Sequence, residues 1–194
     1  ALFSKNSKEL YFSILALWEL GKELLFLNTH LTLAELTFQL KDAQVKTIIG
    51  APETQALLEE ISFVDVQPMV KKQHSLLRQE FQQPSDLESV ASIMYTSGTT
   101  GQPKGVLQRF KNHLASARGT QENMGITAED CWLCAVPLFH ISGLSIVFRQ
   151  LVLGCSIRLY DKFDEQQVTQ DLQEGRGTVI SVVATMLQQL LSVY

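Results

Sequence analysis

The segment Val90-Ala91-Ser92-Ile93-Met94-Tyr95-Thr96-Ser97-Gly98-Thr99-Thr100-Gly101-Gln102-Pro103-Lys104-Gly105 decides how this chain is read. Val90 to Thr96 is a short, mostly apolar run that predicts a buried strand. A loop rich in Gly, Ser and Thr follows it. Gly98, Gly101 and Gly105 let the backbone approach a ligand and adopt positive φ without a Cβ clash. Successive backbone N–H groups in such a turn form a concave nest for phosphate oxygens. Thr96, Ser97, Thr99 and Thr100 add rotatable hydroxyl donors, and Lys104 adds a full positive charge. A polyphosphate needs this set of groups. The loop is not a Walker A motif, because the residue five places after Gly98 is Pro103, and Lys104 is followed by Gly105 and Val106 rather than by a hydroxyl residue. A plain surface loop is the competing reading, since Gly, Ser and Thr are common in loops. The length of the signature behind an apolar strand argues against it.

Outward from this loop, periodicity alternates between helix and strand. Toward the N-terminus, Ala1-Leu2-Phe3 reads as a strand. Leu10, Tyr11, Ile14, Leu15 and Trp18 follow helical spacing, with Ser7 as cap and Gly21 as stop. Leu24 to Leu27 predicts a short buried strand. Thr32 caps a second helix, with Glu35 completing a capping box, and Val45 to Ile49 is the next strand. Residues 66–88 are polar and Gln-rich, and read as an extended, partly mobile connection. Toward the C-terminus, Gly105 to Gln108 is a short segment before a helix with Phe110, Leu114, Ala117 and Met124 on one side. Cys131 to Val136, Ser156 to Tyr160 and Thr178 to Val183 predict strands. Helices are expected from about Ser142 to Leu153, stopped by Gly154, and after Asp164 and Ala184. This alternation predicts an α/β protein, a sheet of mostly parallel strands flanked by helices on both faces.

Composition narrows the function classes. With 194 residues, 45% hydrophobic and 19% charged, the chain is ordinary globular material with enough length for one sizeable core. A net charge of -4 gives no general reason to bind nucleic acid or an anionic membrane. The stretch from Ser89 to Gln121, by contrast, holds Lys104, Arg109, Lys111 and Arg118 and no acidic residue, which suits an anion near the loop. No apolar run approaches the roughly 18 residues that span a bilayer, so no membrane insertion is expected. The first residues lack a charged region and a long apolar run, and three cysteines do not make a disulfide framework. A soluble cytoplasmic protein is expected. Cys131-Trp132-Leu133-Cys134 invites a metal or redox reading, but residues three apart on a strand face opposite ways and no second Cys pair exists. No metal ligand is assigned, and Cys155 reads as a small core residue.

The loop resembles the phosphate-binding motif of the acyl-CoA synthetase, adenylation-domain and luciferase superfamily of adenylate-forming enzymes. The resemblance implies that Thr96, Ser97, Gly98, Thr99, Thr100, Gly101 and Lys104 hold ATP, accompanied by Mg2+. A carboxylate would attack the α-phosphorus, pyrophosphate would leave, and the acyl-adenylate would pass to a thiol. Fixed donors would compensate the charge on the departing pyrophosphate, with Lys104 and Thr100 among the catalytic residues.

A second motif, Val136-Pro137-Leu138-Phe139-His140-Ile141-Ser142-Gly143, selects a branch. Amino-acid-activating members resemble one another here in carrying Phe-Asp, whose carboxylate pairs with the substrate ammonium. This chain has Phe139-His140, which removes that partner and argues against an amino-acid substrate. The pattern is similar to acyl- and aryl-CoA ligases, in which this His lies beside the acyl carboxylate. CoA is then the acyl acceptor. Taken without the loop, His140 reads first as a hydrogen-bonded core residue at a strand end; beside the loop the functional reading is favoured.

Leu27-Asn28-Thr29, Phe110-Lys111-Asn112-His113, Asp130-Cys131-Trp132-Leu133 and the run from Pro137 to Ser145 resemble the branch that forms the CoA thioester of o-succinylbenzoate in menaquinone biosynthesis. That branch carries a basic residue nine places after the histidine, here Arg149. Nine residues rise about 13 Å on a helix, so His140 would meet the reacting carboxylate while Arg149 approaches the far end of the pocket. A dicarboxylate suits such a cation. The bland reading of Arg149 is a surface helix residue. Ser142 would assist through water, and Asn112-His113 reads as capping and packing. Another aryl or fatty acid is the alternative substrate, and a non-catalytic nucleotide-binding module the alternative class. A homo-oligomer is compatible with the sequence.

The resemblance also implies what lies elsewhere. Superfamily members carry, further along, a segment whose Glu helps hold magnesium, an Asp for the ribose, a hinge and a small domain with a catalytic Lys. None of these is matched after Val183, where the chain reads Val183-Ala184-Thr185-Met186 in place of the usual proline-containing motif. Residues 1–194 are expected to be part of a large N-terminal adenylation domain, without its C-terminal small domain and without complete activity alone.

Overall fold

The computed structural model describes residues 1–51, 54–59, 65–68, 86–96 and 103–193, the backbone alone for 65–68. Two compact units divide the chain, one of Ala1–Ser4 with Glu9–Phe110, the other of Lys5–Lys8 with Lys111–Tyr194.

The first unit runs β1 (Leu2–Phe3), α1 (Lys8–Glu19), β2 (Leu24–Phe26), α2 (Leu33–Asp42), β3 (Thr47–Gly50), α3 (Gln55–Glu59), β4 (Asp65–Pro68), β5 (Val90–Thr96) and β6 (Lys104–Arg109). Its strands form one six-stranded sheet in the order β4-β3-β1-β2-β5-β6. Every neighbouring pair is parallel except β5 and β6, which close the sheet edge as an antiparallel pair. Helix α1 buries Leu10, Ile14 and Trp18, the i, i+4, i+8 stripe the sequence predicts. The Trp18 indole donates to the Ala91 carbonyl at 2.8 Å, tying α1 to β5. Thr32 and Glu35 form the expected capping box on α2. Phe3, Leu25, Leu27, Leu36, Leu40, Ile48 and Leu58 pack into one buried core cluster.

The second unit runs α4 (Phe110–Met124), β7 (Cys131–Cys134), α5 (Ile141–Leu153), β8 (Ser156–Leu159), α6 (Glu165–Gln173), β9 (Val179–Ile180) and α7 (Ala184–Val193). Its parallel strands are ordered β8-β7-β9. Gly154, left-handed at φ 78°, ends α5 as expected. Asp164 caps α6 by accepting from the Gln167 N–H at 2.9 Å. Asp171, 1% exposed, fastens α6 to β8: its carboxylate accepts from Arg158 and Tyr160 at 2.6 Å each, and from Arg176 at 2.9 Å. Burial works against that charge, but the three hydrogen bonds outweigh it and hold Asp171 below its ordinary value.

Mostly parallel sheets flanked by helices are therefore the architecture, as the alternation predicts. Several local expectations need correction. The polar stretch 66–88 is not wholly a connection, because Asp65–Pro68 adds to β3 as a parallel edge strand; residues 69–85 lie outside the described residues. The strand expected over 178–183 shortens to Val179–Ile180. On α4 the second unit buries His113 and Ala117, and Phe110, the helix's first residue, is buried in the first unit, while Met124 is 56% exposed at the helix end. A one-dimensional pattern places Met inward by its apolarity, yet the whole final turn, residues 121–124, is exposed.

Candidate functional site

In the first unit the candidate site is the stem of the glycine-rich loop. Residues Ser97, Gly98, Thr99, Thr100 and Gly101 lie outside the described residues. Their flanks do not: Thr96 and Lys104 face each other in the β5–β6 ladder, and both are exposed. The antiparallel pairing brings the two ends of the loop side by side. One step below, Tyr95 pairs with Gly105. A Cβ on Gly105 would stand 3.1 Å from the Tyr95 ring, so the glycine gives the ring room to lie over the opposite strand. The Tyr95 hydroxyl donates to Asp42 Oδ2 at 2.5 Å, at the last residue of α2. Burial, reinforced by Asp42, raises the Tyr95 pKa, so the phenol stays protonated and the donor is always present. Phe38 packs edge-on against the same ring. Sequence reading singled out the loop but neither Asp42 nor the stem role of Tyr95; a tyrosine facing a glycine across a hairpin is the signal available.

In the second unit the candidate site is the turn between β7 and α5. After Cys134 the chain passes through buried Ala135, Val136, Leu138 and Phe139. His140 is exposed and stands at the N-cap of α5 with extended backbone (φ -111°, ψ 152°). Its N–H donates to the Pro137 carbonyl at 3.1 Å, and its own carbonyl accepts from Gly143 and Leu144 at 3.0 Å each. Its ring meets that of Phe139 edge-on at 4.8 Å. Gly143 makes the tight turn feasible, because a Cβ there would stand 2.2 Å from the Pro137 carbonyl oxygen. Ser142 lies exposed in the first turn of α5, its carbonyl accepting from the Ser145 hydroxyl at 3.1 Å.

Arg149 stands further along α5 and is half-buried. Its Nε donates to Thr120 Oγ1 on α4 at 3.1 Å. Its guanidinium carbon lies 4.7 Å from the ring centre of Trp132 on β7. Trp132 is itself 2% exposed and donates to Ser181 Oγ at 3.1 Å. Among the described residues no carboxylate forms an ion pair with Arg149. Burial lowers its pKa, but an arginine so perturbed is still a cation. Arg149 is therefore a held guanidinium with no ion-pair acid among the described residues. Neither Thr120 nor Trp132 was predicted to hold it, because their partnership is between elements.

His113 bears out the packing half of its expected role. It is buried in the first turn of α4, not before it, and stacks on Phe148 of α5 at 3.9 Å with rings 3° from parallel. Burial pushes its pKa down to about 4. Cys134 is a buried thiol raised by burial to about 12, and Cys155 is buried as expected. No cluster of potential metal ligands occurs among the described residues, and none of their helices is long and apolar enough to cross a membrane.

A mostly parallel α/β fold, a glycine- and hydroxyl-rich loop after β5 and a histidine turn opening α5 are the features of an adenylate-forming domain. Residues 1–194 match the AMP-binding enzyme family throughout, and the chain belongs to that family. It is 98% identical over its whole length to 2-succinylbenzoate–CoA ligase of Enterococcus faecalis and 44% identical to that of Listeria innocua. The chain spans about 40% of the length of these curated relatives. All of it superimposes on o-succinylbenzoate CoA synthetase of Bacillus subtilis in complex with the acyl-adenylate intermediate OSB-AMP, at 36% identity and TM-score 0.86, covering 51% of that chain. The same enzyme in complex with ATP and magnesium ion aligns at 35% identity and TM-score 0.87, with all of this chain and 41% of that one covered.

Proposed function

We propose that the complete protein containing this chain activates 2-succinylbenzoate with ATP and transfers the acyl group to CoA, in the cytoplasmic synthesis of menaquinone. In the first step a carboxylate oxygen attacks the α-phosphorus of ATP, the bond to the β-phosphate oxygen breaks, and pyrophosphate leaves. In the second the CoA thiolate attacks the acyl carbon, AMP leaves and the thioester forms. Thr96, Ser97, Gly98, Thr99, Thr100, Gly101 and Lys104 hold the nucleotide phosphates, with Lys104 and Thr100 stabilising the departing charge. Magnesium bound with the nucleotide would supply positive charge at the phosphate oxygens. His140 and Ser142 face the carboxylate being activated.

The observation that carries the substrate is Arg149. A half-buried guanidinium held by Thr120 and Trp132, with no acid among the described residues, is suited to an anion that arrives with the ligand. On α5 it lies nine residues beyond His140, about 13 Å along a helix, so one acid with two separated carboxylates can satisfy both. The likeness to 2-succinylbenzoate–CoA ligases supports the same substrate.

The test is thioester formation by the complete protein with ATP, magnesium, CoA and a panel of aryl, fatty and dicarboxylic acids. Preference for 2-succinylbenzoate, with kcat/KM falling about 10–100-fold in Arg149→Ala as a charged hydrogen bond is lost, is the expected result. Turnover of other acids alone would keep the ligase chemistry and discard this substrate. No turnover with any acid would indicate a nucleotide-binding module.

A further inference from the structure

We infer that Asn6 is a positioning residue for His140, an assignment that rests on the ligase reading above. Asn6 follows β1 in sequence, yet it is 5% exposed and belongs to the second compact unit. Its side-chain amide nitrogen donates to the Val136 carbonyl and to the Tyr160 carbonyl, both at 3.0 Å. Its carbonyl oxygen accepts from the Leu138 N–H at 2.8 Å. Both donors and the acceptor of the amide are thus used, in sequence separations of 130, 154 and 132 residues.

These partners lie where a ladder stops. Strands β7 and β8 pair in parallel as far as Cys134 and Leu159, and Tyr160 N–H still donates to the Cys134 carbonyl at 3.1 Å. Past that point the two chains diverge into different connections, and buried backbone groups lose their neighbour-strand partners. Asn6 replaces the missing strand. It satisfies Val136 and Leu138 on one connection and Tyr160 on the other, holding the exit of β7 at a fixed distance from the exit of β8.

The exit of β7 is the histidine turn. Pro137 sits between the two residues that Asn6 grips, and the Pro137 carbonyl accepts the N–H of His140. Gly143 packs against that same carbonyl. Asn6 therefore acts on His140 through one peptide unit. Misplacement of a reacting geometry by about 1 Å can cost about 100-fold in rate, so loosening this brace acts on chemistry before nucleotide binding.

The experiment is a double-mutant cycle in the complete protein between Asn6→Asp and His140→Ala, read as pyrophosphate release with 2-succinylbenzoate and as thermal midpoint. Asn6→Asp keeps the acceptor for Leu138 and loses both donations. The expected result is a fall in kcat of about 10–100-fold with the KM for ATP within about twofold, and less than a further twofold fall when His140 is already Ala. The loss in thermal midpoint should be the same in both backgrounds. Equal rate losses in both backgrounds, or an unchanged kcat, would overturn the assignment. Asn6→Ser runs the same cycle should the Asp variant not fold; failure of both to fold would make Asn6 a residue of the fold and also overturn it. A wild type with no turnover would refute the ligase reading itself, whereas an active wild type with an additive cycle refutes only the role of Asn6.

Discussion

Lowering the pH from 7 to 4 should destabilise the second unit through one residue, His113. The imidazole is 3% exposed and lies flat on Phe148, and burial lowers its pKa from 6.5 to about 4. The folded state therefore binds fewer protons than the unfolded state between those two values. Stability from this group is fully present above 6.5 and falls as pH drops toward 4, because protons pull the chain toward the unfolded form. With those two values the linkage relation gives a loss of about 2 kcal/mol by pH 5 and about 3 kcal/mol by pH 4. That is a large share of the 5–15 kcal/mol typical of a domain. The comparison that isolates it is His113→Phe, which keeps a flat ring against Phe148 and cannot titrate. Urea unfolding at several pH values, followed by Trp132 fluorescence with Trp18 replaced by Phe, reports on the second unit. The wild type should lose about 2–3 kcal/mol more than His113→Phe across this range. Parallel pH profiles for the two proteins, or a His113 ring signal titrating near 6.5 in the folded protein, would refute the reasoning.

Two further outcomes follow from the same unit. Gly143→Ala should lower both thermal stability and turnover, by about 1–3 kcal/mol in the first, since its Cβ would stand 2.2 Å from the Pro137 oxygen and α5 must move; Gly119→Ala, whose Cβ meets no atom within 4 Å on α4, is the control and should gain about 0.5–1 kcal/mol from helix propensity in the same melting experiment. Asp171→Asn should cost about 1–3 kcal/mol in urea, the figure kept low because Arg158 and Arg176 are 39% and 48% exposed. Because the folded pKa of Asp171 lies below 3.8, its contribution disappears only below that pH, a window separate from that of His113.

What the sequence disclosed is whatever depends on neighbours along the chain. The Thr32–Glu35 capping box, the Leu10–Ile14–Trp18 stripe and the Gly154 stop each need only a few consecutive residues, and each stands where predicted. The strand β5 was legible for the same reason, from an apolar run that ends in Gly, Ser and Thr. Asp65–Pro68 was not, because a polar run with a terminal proline has no strand signal of its own. It pairs only because β3 offers an edge, where a proline is tolerated. His113 was legible as a packing residue but not as the inward position of α4, which its partner Phe148, 35 residues away on another helix, decides. Asn6, Thr120 and Asp42 carry no motif at all. Their roles arise from hydrogen bonds across 29 to 154 residues, and no window along the chain contains both partners.

Those long-range contacts explain how α5 can act as a ruler under the proposed reaction. The motif supplies His140 at one end and Arg149 two and a half turns on, but spacing on a helix fixes distance only if both ends are held. Gly143 seats the first turn against Pro137, while Thr120 and Trp132 hold the guanidinium. A site so fixed selects less by attraction than by exclusion. An acid without a second carboxylate would leave a half-buried cation without its anion, and sites built around a polar partner reject analogues lacking it far more strongly than an apolar pocket rejects one missing methylene. Arg149→Ala should accordingly narrow the gap between 2-succinylbenzoate and monocarboxylic aryl acids from both sides, slowing the former and relieving the latter of an unpaired charge.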